Sequence, residues 1–168
     1  MKNLYYYHNE PESLYGGSEQ LKNVKFGLFQ KEMPHIETFD EIFSSPGLTY
    51  LYAYIANEGR FPEGESIIAQ DPKYSFLYAK NVINGRFPEG EDAIAKNAER
   101  SYNYAYDVLG KNRFLKGEEI ISRYPKKAYL YAQYIIKGRW KEGEQGIMKN
   151  GKAWYDYTEF LEEKGIKI

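Results

Sequence analysis

An arginine and a glutamate stand five residues apart four times in this chain: Arg60 and Glu65, Arg86 and Glu91, Arg113 and Glu118, Arg139 and Glu144. A guanidinium is a planar fork of N–H donors that matches a carboxylate or a phosphate at two points. Two chemistries follow. The forks can close on their own glutamates, as a ladder of hydrogen bonds locking one helix to another, within or between units. Alternatively they can stand in a row about 8–10 Å apart, the spacing of packed helices, and face nucleic-acid phosphates. Against the second, each arginine travels with a glutamate that neutralises it locally.

Catalytic patterns are absent from the sequence. The histidines are His8 and His35, with no pair at metal-ligand spacing. His35 falls in the aromatic slot that Phe61 and Phe87 fill elsewhere, which predicts a packing role. No glycine-rich phosphate loop follows a strand. Glu63 and Glu65 point to different sides of a helix, so they form no catalytic pair. The expectation is a protein without catalytic residues, metal or cofactor; an active site assembled from different units is the remaining enzymatic alternative.

The arginines belong to a repeat. Gly-Arg-Phe-Pro-Glu-Gly-Glu occurs at residues 59–65 and 85–91, and worn copies surround Arg113 and Arg139. The arginine positions 60, 86, 113 and 139 give spacings of 26, 27 and 26. A fixed period of this size marks stacked repeats. Asn112 is the extra residue, and a loop should absorb it.

Each unit reads as two short helices. Helix A centres on Ala53, Ala79, Ala105 or Ala132, with aromatic residues three and one before it and aliphatic residues mostly three and four after. These fall on one arc at helical spacing. The second aromatic (Tyr52, Tyr78, Tyr104, Tyr131) sits at the arc's edge, its hydroxyl within reach of water or a partner. Helix B opens at Pro62 or Pro88, suited to a first helical position, and carries a core isoleucine: Ile68, Ile94, Ile121 or Ile147. Glycine persists early in helix B at 64, 90, 117 and 143. It costs about 1 kcal/mol there relative to alanine, which predicts a close neighbour. Neither helix is long enough to be stable alone, so stacking must supply stability.

The expected fold is all-α: a right-handed solenoid of about five helix pairs. Residues 21–46 read as a degenerate first unit, with Gly27 in the alanine slot after Val24 and Phe26. Clear repeats fill 47–152, and 153–164 is a capping helix. Residues 1–20 fall outside the repeat. There Tyr5-Tyr6-Tyr7 reads as a strand or an aromatic plug, and Gly16-Gly17 as a turn or hinge.

Function is sought where the units differ. One and two residues after each central alanine stand Tyr54 and Ile55, Lys80 and Asn81, Tyr106 and Asp107, Gln133 and Tyr134. This row points away from the core arc, and tyrosines outside a core are contact material. It is the candidate protein-binding surface, with the bland alternative a solvated face. Arg60, Arg86, Arg113 and Arg139 are the candidate nucleic-acid-binding row.

Composition narrows the partners. The 168 residues carry 24 acidic and 23 basic side chains, a net charge of −1, so a general polyanion binder is not expected. Cysteine is absent, which excludes disulfides and thiolate metal sites. No apolar run reaches the roughly 20 residues that span a bilayer, and the N-terminus turns polar early. A soluble cytoplasmic protein with no membrane partner is expected. The 18 tyrosines suit either a core with polar tips or a contact surface.

The run from Tyr78 to Glu91, Tyr-Ala-Lys-Asn-Val-Ile-Asn-Gly-Arg-Phe-Pro-Glu-Gly-Glu, resembles short tyrosine-rich helical repeats of bacteriophage and prokaryotic proteins. The resemblance covers about residues 47–168 and differs from the longer tetratricopeptide and ankyrin units. It implies a phage-type origin and, as partner, a host protein or protein complex, for instance a defence or transcription assembly. It carries no functional residue with it.

Overall fold

The structure, a computed structural model, describes residues 18–57 and 59–168. The expectations for Tyr5-Tyr6-Tyr7 and Gly16-Gly17 lie outside the described residues. All regular structure among the described residues is helical. Helix α1 spans Ser18–Glu32, and a 3-10 turn, Phe39–Ser44, precedes α2, Pro46–Ile55. Then follow α3 (Pro62–Ile68), α4 (Pro72–Tyr78), α5 (Glu91–Ile94), α6 (Ala98–Asn103), α7 (Leu115–Ser122), α8 (Pro125–Tyr131), α9 (Lys141–Ile147) and α10 (Gly151–Glu163). A 3-10 turn, Pro88–Gly90, leads into α5.

Helices α4, α6 and α8 do not end where their α-hydrogen bonding ends. Each widens into a π turn, at Ala79–Ile83, Tyr104–Val108 and Ala132–Ile136. The helix A of these units is therefore α plus π.

Starts are fixed by caps. Ser45, Asp71, Asn97 and Asn150 each accept a backbone N–H of the first turn of the helix they precede. Such a cap contributes about 1 kcal/mol. Asn150 begins α10 at Gly151, two residues before the expected capping helix.

Packing follows chain order. Helices α2, α6 and α8 lie on α3, α7 and α9 of their own pairs, and successive A helices touch: α2 on α4, α4 on α6, α6 on α8, α8 on α10. Helix α5 touches α7, and α7 touches α9. Between the two sets lie Ile68, Ile94, Ile121 and Ile147, all fully buried. Burying each contributes about 1.5–3 kcal/mol. Behind them Thr49, Ser75 and Ser101 donate to the carbonyls of Ile42, Ile68 and Ile94 at 2.8, 3.0 and 3.0 Å. Ala128 holds that position in α8, without a hydroxyl.

The glycines early in helix B have the neighbours their persistence predicts. A methyl on Gly90 would meet the Phe87 ring and Ser75 Cβ within 2.7 Å, and one on Gly117 would meet Phe114 and Ser101 as closely. The added residue Asn112 is absorbed by a loop. Gly110 and Lys111 turn through φ of +62° and +64°, and the Asn112 amide donates to the Leu109 carbonyl at 2.6 Å.

The first pair departs from expectation. His35 is exposed and packs no core; Ile36 beside it is buried instead. Gly27 has nothing near it and Val24 is exposed, so α1 does not repeat the helix A register; Phe29 is its buried anchor. Phe39 stands where later units have glutamate, and its ring meets Phe26, Phe43 and Tyr52 edge-on at 5.5–5.8 Å. An aromatic cluster thus takes the place of a polar contact.

Candidate protein-binding surface and the ladder beneath it

The arginine forks close on their own glutamates. Arg60 Nε and Nη2 reach Glu65 Oε1 and Oε2 at 2.6 and 3.0 Å, and Arg86 reaches Glu91 at 2.6 and 3.1 Å. Arg113 holds Glu118 at 2.7 and 2.6 Å, and Arg139 holds Glu144 at 2.7 and 3.2 Å. Each pair bridges the bend and the start of helix B within one unit. The carboxylates lie inward, whereas the arginines of the first three pairs keep 50–64% of their side chains in solvent.

The link between units comes from the tyrosines assigned above to the arc's edge. That placement is corrected: Tyr52, Tyr78, Tyr104 and Tyr131 are all buried, as is Tyr157, which holds the same place in α10. The Tyr78 hydroxyl donates to Glu65 at 2.9 Å and accepts the Phe61 N–H at 2.6 Å. Tyr104 does the same for Glu91 and Phe87, Tyr131 for Glu118 and Phe114, Tyr157 for Glu144 and Trp140, at 2.9–3.2 Å. The rings of Tyr78, Tyr104 and Tyr131 pack at 5.0–5.1 Å on the bend aromatic of their own unit, Phe87, Phe114 and Trp140. One side chain thus spans two units. In the last bend tryptophan replaces phenylalanine, and its indole N–H is buried with no acceptor among the described residues.

These contacts set the ionisation. Burial pushes Tyr104 and Tyr157 up to about 12, with the neighbouring glutamates adding to it. Burial likewise raises Tyr78 and Tyr131. Burial also raises Glu65, but its hydrogen bonds from Arg60 and Tyr78 outweigh that and hold it below the usual carboxylate value. The Arg139 hydrogen bond does the same for Glu144, against burial.

A raised folded pKa gives stability that is complete below the unfolded value, 10.0 for tyrosine, and lost as pH climbs through the folded value. A lowered one gives stability present above the unfolded carboxylate value and lost as pH falls through the folded one. Tyrosinate absorbance from the ladder tyrosines is therefore expected to appear only together with alkaline unfolding seen by circular dichroism. A single phase near pH 10 with the helices intact would contradict the ladder.

The variable row lies on the π turns. Lys80 and Asn81, Tyr106 and Asp107, Gln133 and Tyr134 all fall within them, while Tyr54 and Ile55 end α2. Tyr54, Lys80, Asn81, Asp107 and Tyr134 are exposed; Ile55, Tyr106 and Gln133 are half-buried. Members from successive units meet. Asn81 donates to the Tyr50 hydroxyl at 3.0 Å, Lys80 pairs with Asp107 at 2.8 Å, and the Tyr106 and Tyr134 rings meet edge-on at 5.9 Å. Tyr54 stacks on Tyr50, also at 5.9 Å. Tyr54 and Asn81 further line an open cleft of about 190 Å³ with Ala53, Gly59 and Val82. The result is a strip across the A helices, wider than the row predicted, because the half-buried Tyr74 and Tyr102 border it. Tyr50, three before its alanine, is buried in the core as that position predicts.

Among the described residues no cluster of histidine, cysteine, aspartate or glutamate is placed to hold a metal, and no helix is long and apolar enough to cross a membrane. No protein-family model, curated protein or solved structure matches this chain.

Proposed function

We propose that the chain is a helical-repeat solenoid that binds another protein through the strip on its A helices, with the Arg–Glu–Tyr ladder as scaffold. The observation that supports this most is the meeting of variable residues from successive units on π turns, Lys80 with Asp107 and Tyr106 with Tyr134, π turns being often found at functional sites. A core uses the same residue type in every unit; here the types differ and the contacts persist. On the resemblance described above, the partner is a host protein or protein complex, and the binding blocks or redirects it.

Nucleic-acid binding by Arg60, Arg86, Arg113 and Arg139 is the weaker reading, since each fork already holds a carboxylate. The two separate in a capture experiment from nuclease-treated bacterial lysate. Tyr54→Ala, Tyr106→Ala and Tyr134→Ala combined are expected to lose the retained protein while circular dichroism stays helical. Retention unchanged in the triple variant, or lost with nuclease alone, sinks the proposal.

A further inference from the structure

The strip is charged as well as aromatic, and its charges do not cancel. Its acids in the middle units, Glu99 and Asp107, are each matched by a lysine, Lys127 at 3.8 Å and Lys80 at 2.8 Å. Five cations on the same helices or just past their C-terminal ends, Lys73, Arg100, Lys111, Lys126 and Lys137, have no ion-pair partner among the described residues. All but Arg100 are exposed. Lys111 and Lys137 occupy left-handed backbone, φ +64° and +60°, where glycine is the residue of least strain. The turn itself therefore gives no reason for lysine at either place. Lys126 lines a cleft of about 310 Å³ between α8 and α10 with Tyr129, Leu130, Lys152 and Asp156; Lys152 pairs with Asp156 at 3.1 Å, which leaves Lys126 as the cleft's unpaired charge.

We infer that the strip binds an acidic polypeptide, whose carboxylates meet Lys73, Arg100, Lys111, Lys126 and Lys137 while its apolar side chains meet the tyrosines. This rests on the protein-binding reading above and adds the chemistry of the partner. Single-stranded nucleic acid would satisfy the same cations, but it binds by stacking bases on open aromatic faces. Here three of those faces are covered: Lys73 lies over Tyr74 at 4.8 Å, Lys111 over Tyr106 at 4.7 Å and Lys127 over Tyr102 at 5.2 Å, while Tyr50 stacks on one face of Tyr54. On these three rings a base would have to displace a cation to stack; a carboxylate approaches the outer side of that cation and leaves the ring covered.

The test uses the full chain and two labelled probes of equal length, an oligoglutamate interspersed with leucine and an oligodeoxythymidylate. Binding is read by fluorescence anisotropy over a salt series. The peptide is expected to bind more tightly, with affinity falling as salt rises. Lys126→Glu combined with Lys137→Glu is expected to weaken it at least about tenfold. The control pair in the turns after α5 and α9, Lys96→Glu with Lys149→Glu, should leave it within about twofold. Tighter binding of the oligodeoxythymidylate, equal weakening by the control pair, or no binding of the peptide overturns the inference. If the peptide fails while the tyrosine-dependent capture above persists, the protein-binding reading stands and only the acidic chemistry falls.

Discussion

Gly146→Ala is expected to remove about 3 kcal/mol of stability, seen as a fall of about 10 °C in the unfolding midpoint. The glycine lies in α9 with the Ser122 carbonyl directly over its Cα, so an added methyl would occupy the oxygen's position. The obstacle is backbone, which cannot rotate aside as a side chain can. Helix α9 must move off α7, and it carries Gly143, Glu144 and Ile147 with it. Gly27→Ala is the matched control. Nothing approaches Gly27, and alanine is the better helix former by about 1 kcal/mol, so that variant should be as stable as the parent or more so. Thermal or urea unfolding of the two measures the difference. Equal midpoints would mean that α9 does not pack on α7 as described.

Arg60→Ala is expected to lower the urea midpoint at neutral pH, and the loss should shrink as pH falls through the lowered folded value of Glu65. The Glu65 carboxylate it pairs with is nearly buried, and removing the fork leaves the Tyr78 hydroxyl and the cost of burial. Burial alone pushes that carboxyl up, so the variant holds an unpaired charge above the carboxylate range and a neutral acid below it. The guanidinium is 55% exposed, which places the effect below that of a fully enclosed pair. Tyr78→Phe removes the other bond to the same oxygen, and the two substitutions should be non-additive. Urea unfolding across the acid range checks this. A loss independent of pH would show that Arg60 acts through packing of its stem.

Much of this was legible in the residues, for identifiable reasons. The isoleucines of helix B, the turn residues before helix A and the glycines beside the bend each answer to a local constraint: a buried face, an orphan N–H, a neighbour too close for a Cβ. A repeat shows such constraints four times over. The partner of Tyr78 was not legible, because it lies 13 residues back in another unit. Helical periodicity gives the direction of a side chain and says nothing of the polar group waiting there. The π turns left no mark either. A five-residue hydrogen-bond step changes no residue type, so Lys80, Asn81, Tyr106 and Asp107 stood out only by their variability and their place off the core arc. The first pair was misread at Gly27 and His35 because alignment to the repeat assumed a register that Phe29 and Phe39 replace.

The hydrogen bond from a bend N–H to the next unit's tyrosine always joins residues 17 apart: Phe61 to Tyr78, Phe87 to Tyr104, Phe114 to Tyr131, Trp140 to Tyr157. Asn112, the one departure from the period, falls outside all four spans. The block of chain that tolerates no change in length therefore runs from a bend to the following tyrosine, across the border between helix pairs. The stretch between each tyrosine and the next bend is the slack in the design, where residues can be gained or lost without disturbing a joint. It is also the stretch that holds most of the variable row, so the parts of this protein most free to vary in length belong to the surface proposed to bind.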